Sequence, residues 1–243
     1  MELNAGTLVT MNDESEVLED VHVVVEDGEI LEINDGFVSG TDVVDASDDV
    51  VIPGLVNSHT HMYALPIRGA PLDVAPQSFY EALVDIWWRV DEAFTERDAR
   101  LSALGSAKEM LESGVTAFCD NYSGPNTLPG GLAAAAEGVE QTPIRAMLSF
   151  EATARNSHEE AMAGIEENEQ FIAAGEDEFD RVEGHYCLHT LFTNTEETVK
   201  ETVDRAVRDD RPIQLHLEEG LVDVHESIRE YGERPVYALE QMG

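Results

Sequence analysis

The sequence predicts an α/β fold: an incomplete (β/α)8 TIM-type barrel of about five βα units over residues 51–243, preceded by a small β module at residues 1–50. Three observations predict it. Residues 1–50 carry short β-branched runs and turn signals with no helical periodicity. The pattern then switches to strand and helix in alternation, the arrangement of parallel strands joined by helical crossovers. Finally, histidines recur where those strands end, and the C-terminal rim of a parallel barrel is where that fold places its chemistry.

Within the β module, residues 21–25 and 29–33 are β-branched-rich runs separated by Asp27-Gly28, a hairpin signal. Val43-Val44 and Val50-Val51-Ile52 follow after further turn residues. Residues 50–56 form an apolar run, as expected of a strand buried on both faces of a parallel sheet. Residues 79–90 and 96–113 have apolar side chains at three- and four-residue spacing and read as helices, the second closed by Gly114. Residues 115–119 read as a strand, 132–140 as an alanine-rich helix and 144–150 as a strand. A helix at 159–174, a strand at 181–188, a helix at 196–208 and a strand at 212–217 complete the alternation, before two helices at 222–231 and 236–242. A closed barrel needs eight such units.

Composition narrows the function classes. Hydrophobic residues make up 42% of the 243, too many for a disordered acidic chain despite a formal charge of −37. Such a surface repels phosphate backbones and anionic lipid heads, so neither nucleic acid nor a membrane is an expected partner. No run of about 18 apolar residues is present to span a bilayer. The start, Met1-Glu2-Leu3-Asn4-Ala5-Gly6, lacks the basic and apolar regions of a signal peptide, so the expected location is the cytoplasm, with Cys119 and Cys187 as thiols. Lys108 and Lys200 are the only lysines, and the acids are spread along the whole chain. That pattern suggests adaptation to molar salt, which screens charge within about 3 Å.

The chemistry-bearing pattern is Pro53-Gly54-Leu55-Val56-Asn57-Ser58-His59-Thr60-His61. Side chains alternate along a strand, so His59 and His61 point the same way, at the end of the apolar run. Two imidazoles so placed can share a metal ion; the plain alternative is two solvent-facing histidines. Residues 213–217 again end with a histidine, and as a fifth strand they bring His216 to the same rim as a third ligand. Glu219 follows at the loop edge, either a proton carrier or one more surface acid. His189, at the end of the fourth strand, is a substrate hydrogen-bonding candidate, whereas His185 is expected to be buried within that strand. Binuclear sites in such barrels commonly use a carboxylated strand lysine. Both lysines here fall in helices, which favours one metal. Arg68 and Arg155 are weaker candidates for binding an anionic or carbonyl group.

Taken together, the β module, the Pro53–His61 motif continuing into Met62-Tyr63, and the strand ending His216-x-x-Glu219 resemble the amidohydrolase superfamily. Within it, the pattern is similar to the aminohydrolase/chlorohydrolase branch, which includes methylthioadenosine/S-adenosylhomocysteine and guanine deaminases. Leu83-Val84-Asp85-Ile86-Trp87-Trp88-Arg89-Val90-Asp91, Gly164-Ile165-Glu166-Glu167-Asn168 and Leu188-His189-Thr190-Leu191-Phe192-Thr193 also resemble aminohydrolases linked to selenium metabolism. The resemblance covers nearly the whole chain.

The resemblance implies that the β module is part of a composite β-sandwich, and that His59, His61 and His216 hold one divalent ion, zinc or alternatively iron. It further implies that Glu219 shuttles a proton, that His189 touches substrate, and that a heterocyclic, purine-like small molecule is deaminated by hydrolysis. The family's sixth-strand histidine and eighth-strand aspartate have no counterpart before Gly243. The expectation is therefore little turnover by the isolated chain. The rival reading is an inactive fragment, or a half-barrel that self-associates or needs a complementing chain, since an open barrel exposes strand edges.

Overall fold

The computed structural model describes residues 1–242, apart from the side chains of Glu176 and Asp177. Two compact units are present, Met1–Leu55 and Val56–Gly243. The first is a four-stranded sheet of β1 (Glu2–Val9), β2 (Val17–Glu26), β3 (Glu29–Asp35) and β4 (Val43–Val51), in the order β3-β2-β1-β4. The β2–β3 hairpin turns at Asp27 and Gly28, with φ of 52° and 85°, the paired positive values that a two-residue hairpin requires. Strands β1 and β2 are antiparallel, while β1 and β4 are parallel with a register shift between Ala5 and Thr7. Gly6 occupies that shift, where a Cβ would sit 2.1 Å from the Ser47 carbonyl oxygen. Ala5, Leu8, Val21 and Val23 form the small core of this unit.

The second unit alternates strand and helix. Its strands are β5 (Leu55–Thr60), β6 (Val115–Tyr122), β7 (Arg145–Ala152), β8 (Val182–Gly184), β9 (Tyr186–Thr190) and β10 (Ile213–His216). Five of them run β10-β9-β7-β6-β5, with β8 paired on β7. Pairing is parallel at β6–β7, β7–β9 and β9–β10, so the sheet is a half-barrel of the expected α/β class. Its helices are α1 (Phe79–Ala82), α2 (Trp88–Asp91), α3 (Glu96–Glu112), α4 (Gly131–Val139), α5 (His158–Glu178), α6 (Glu196–Asp209), α7 (Leu221–Tyr231) and α8 (Pro235–Met242).

Local chemistry starts and stops these helices. Thr95 and Asp98 form a reciprocal capping box on α3, and Thr195 with Thr198 does the same on α6. The alanine-rich α4 packs against α3 so tightly that a Cβ on Gly138 would lie 2.3 Å from the Arg100 carbonyl oxygen. Phe118, Tyr122, Leu132, Ile144, Leu148 and Phe150 form the center of the main core, each 2% exposed or less. Each such apolar side chain contributes about 1.5–3 kcal/mol by leaving water.

Three expected elements differ in detail. The apolar run at 50–56 is not one buried strand: Val51 ends β4 and Leu55 begins β5, with Pro53 between them unable to donate a ladder hydrogen bond. Val50, on β4, and Val56, on β5, are 64% and 69% exposed, each on a strand with one strand neighbor only among the described residues. The helix at 79–90 is split by a π turn, Leu83–Trp87, in which the Trp88 N–H donates to the Leu83 carbonyl. The strand at 181–188 divides at His185, where the chain changes partners. The His185 N–H donates to Leu148 O at 3.1 Å, and the Tyr186 N–H to Pro212 O at 3.1 Å.

Candidate metal centre

Strand β5 carries His59 near its end, and His61 follows directly as the residue capping the 3-10 turn Met62–Ile67. His216 is the last residue of β10. These three imidazoles converge, each offering a nitrogen so that all lie within 4.8 Å of one another. Asn121, on β6, helps to orient two of them. Its carbonyl accepts from His61 Nδ1 at 2.9 Å, and its side-chain amide lies 3.2 Å from His59 Nδ1. The His189 carbonyl lies 2.8 Å from His216 Nδ1.

Those contacts decide the tautomers. A carbonyl oxygen only accepts, so Nδ1 of His61 and of His216 carries a proton, and in a neutral ring Nε2 is then the lone-pair nitrogen. The two Nε2 atoms face each other at 3.1 Å. Two acceptors at that distance repel unless a cation lies between them. Neutral imidazole is also the form that binds metal, and burial first of all lowers the pKa of His59 and of His61. The neighboring imidazoles lower that of His59 further. The donor set therefore fits a divalent ion such as zinc or iron.

A cavity of about 200 Å³ opens beside the cluster, lined among others by His61, Tyr63, Glu151, His189, His216 and Glu219. Glu219 is exposed on the loop after β10. The preceding residue, Glu218, is held by its N–H to Asp223 Oδ2 at 2.6 Å, and its carboxylate pairs with Arg234. His189 is buried, with Nδ1 3.0 Å from Thr193 Oγ1, and burial pushes its pKa down to about 3. It is thus neutral at pH 7, with its ring center 5.4 Å from that of His216. A larger cavity, about 670 Å³, shares His61 but none of the other imidazoles.

Arg155 is not a free surface cation: its side chain is 6% exposed. It makes a two-pronged ion pair with Asp91 at 2.7 and 2.9 Å and lies 5.1 Å over the Trp88 ring. Ser123 Oγ donates to the same carboxylate at 2.8 Å. Arg68 is exposed and pairs with Glu109. His185 is buried at 1% exposure, away from the imidazole cluster. Cys119 and Cys187 are free thiols, the second fully buried.

Sequence reasoning missed Glu151 and Asp91. Glu151 is 2% exposed in β7, with a pKa raised by burial to about 7. An acid ending an apolar strand was its only signal, and among 51 acidic residues that signal does not stand out. Asp91 showed no partner in sequence, because Arg155 is 64 residues away.

The amidohydrolase family model matches residues 50–243. A 5-methylthioadenosine/S-adenosylhomocysteine deaminase of Bacillus cereus (strain AH820) is 30% identical over 242 residues, covering 98% of this chain and 54% of that protein. One of the same name from Haloarcula marismortui is 34% identical over 227 residues, 92% of this chain and 50% of that one. The chain thus spans about half the length of the curated relatives it matches. Among solved structures, an adenosine deaminase from Xanthomonas campestris with bound zinc superposes with a TM-score of 0.79 at 24% identity, over all of this chain and 54% of that one. A guanine deaminase from C. acetobutylicum with bound guanine gives 0.82 at 16% identity, covering all of this chain and 59% of that one.

Proposed function

The chain belongs to the amidohydrolase family, and we propose that it serves metal-dependent hydrolytic deamination of a small heterocyclic, purine-like amine. The convergence of His59, His61 and His216, with the Nε2 atoms of His61 and His216 facing each other 3.1 Å apart, carries the reading. In this reading the three imidazoles hold one divalent ion, zinc in the first place and iron in the second. Such an ion, when bound, acidifies water and so supplies the nucleophile near neutral pH.

The chain's own residues do the rest. Glu219, on the cavity wall, would take a proton from the attacking water and pass it to a ring nitrogen as the water oxygen adds to the amine-bearing carbon; the C–N bond then breaks and the amine leaves with the second water proton as ammonia. His189, neutral and buried, hydrogen-bonds the substrate. Tyr63, Phe79 and Trp87 exclude water from the cavity. The Asp91–Arg155 pair, packed under Trp88, keeps that ring in place beside His189, 6.5 Å between ring centers. The names of the relatives support a nucleoside or purine substrate.

A second reading is favored by the sheet edges. Strands β5 and β10 each have one neighbor only among the described residues, which supports self-association or a complementing chain as the condition for turnover. The charge of −37 and the scarcity of lysine support adaptation to molar salt, with neither nucleic acid nor membrane as partner.

The test is ammonia release from methylthioadenosine, adenosine and guanine by zinc-loaded protein, alongside zinc stoichiometry by atomic absorption. One zinc per chain is expected, falling to none in His61→Ala. Zinc retained at full stoichiometry by that variant would remove the basis of the reading. Turnover confined to assembled species favors the second reading over activity of the single chain.

A further inference from the structure

The strands that carry the imidazoles lie at opposite ends of the sheet: β5 brings His59, with His61 just beyond it, and β10 brings His216. Strands β6, β7 and β9 stand between them, so their spacing passes through a chain of ladders. The last of these ladders is irregular. Gln214 and Leu215 of β10 face Cys187 and Leu188 of β9 in step, but the register shifts before His216, which faces Thr190. Gln214 ties the two end strands directly. Its Nε2 donates to the Ser58 carbonyl at 3.0 Å, across 156 residues of sequence. Ser58 immediately precedes His59, and Gln214 lies two residues before His216, on the same face of β10.

That bond also fixes the amide's orientation. A carbonyl only accepts, so Nε2 faces Ser58 and Oε1 turns away, into a buried position without a hydrogen-bond partner of good geometry. Burial lowers the pKa of both His59 and His185, and the Gln214 amide opposes the shift in each, so it lies beside both rings. A buried amide oxygen left this way costs free energy that an apolar side chain would avoid. What the apolar side chain would lack is the bond between the strands. We propose that Gln214 is a positioning residue for the metal center, bracing β10 against β5 so that His216 meets His59 and His61 at one point. The inference rests on the metal reading above and deepens it, because ligands on separate strands converge only as well as their supports hold them.

The test uses the full chain, stripped by a chelator and titrated with cobalt(II), whose visible absorption reports the geometry of the donor set. Affinity is read by competition with a chromogenic chelator. Q214M keeps the length of the side chain but loses the N–H that reaches Ser58. It is expected to shift the visible bands and to weaken cobalt binding by about 10–100-fold, the range for losing a ligand's support. Thr95→Ala, which loses a helix cap instead, is the control for stability alone and is expected to keep the wild-type spectrum and affinity. A Q214M spectrum and affinity equal to wild type, or changed no more than in Thr95→Ala, overturn the assignment. Should Q214M fail to fold, the wild-type chain decides by NMR. Slow solvent exchange of the Gln214 side-chain amide in the metal-free protein supports the brace, and exchange as fast as in free glutamine overturns it. Absence of cobalt binding by wild type refutes the metal reading itself, and this inference with it.

Discussion

His185 shows at the residue scale how burial becomes pH dependence. Its two ring nitrogens are buried and make no hydrogen bond of good geometry. Burial lowers its pKa from 6.5 to about 4, with Gln214 opposing the shift. The folded state therefore binds fewer protons than the unfolded state between about pH 6.5 and pH 4. Stability from this residue is complete above that window and is lost as pH falls through it, at up to about 1.4 kcal/mol per unit. Urea unfolding from pH 7 to pH 4 is expected to show a shallower decline in His185→Leu than in wild type. Parallel declines would show that other groups dominate.

Sequence legibility also differs residue by residue. His59, His61 and His216 were visible because histidine is scarce, 8 in 243, and all three fall at strand ends. Glu151 and Asp91 were not, since their significance lies in being buried, and burial depends on what packs over a residue.

At the scale of the element, the capping residues have the clearest consequences. Thr95 Oγ1 accepts the Asp98 N–H, while the Asp98 carboxylate accepts the Thr95 N–H at 3.1 Å. Helix α3 packs on α4 and precedes β6, the strand that carries Asn121. Thr95→Ala is expected to destabilize the chain by about 0.5–2 kcal/mol, measured as a lower urea midpoint at unchanged slope. A midpoint equal to that of wild type would show that solvent caps this end equally well. Elements whose periodicity and caps agreed, α3 and α6 among them, were legible within a few residues. The π turn at Leu83–Trp87 was not, since one extra residue in a turn leaves the apolar spacing almost unchanged. The break at His185 was also hidden, because it reflects an exchange of hydrogen-bond partners between β7 and β10.

Charge acts on the whole molecule. With 51 acidic and 14 basic residues, self-repulsion extends over the entire surface. Ion pairs such as Lys108–Glu112 and Lys200–Glu196 are exposed and offset little of it. Raising salt from about 0.1 M to about 1 M shortens the screening length from about 10 Å to about 3 Å. The melting temperature is expected to rise across that range. A melting temperature that stays flat or falls would count against adaptation to high salt.

Local periodicity and turn chemistry specify the alternation of strands and helices, the β hairpin at Asp27-Gly28 and the histidines at the strand ends. Tertiary structure decided which nitrogen of His61 and His216 is free of its proton, that Arg155 is locked to Asp91, and that Glu151 faces the imidazoles. Those outcomes depend on groups tens to more than a hundred residues apart meeting in a space that excludes water. No local pattern encodes that meeting.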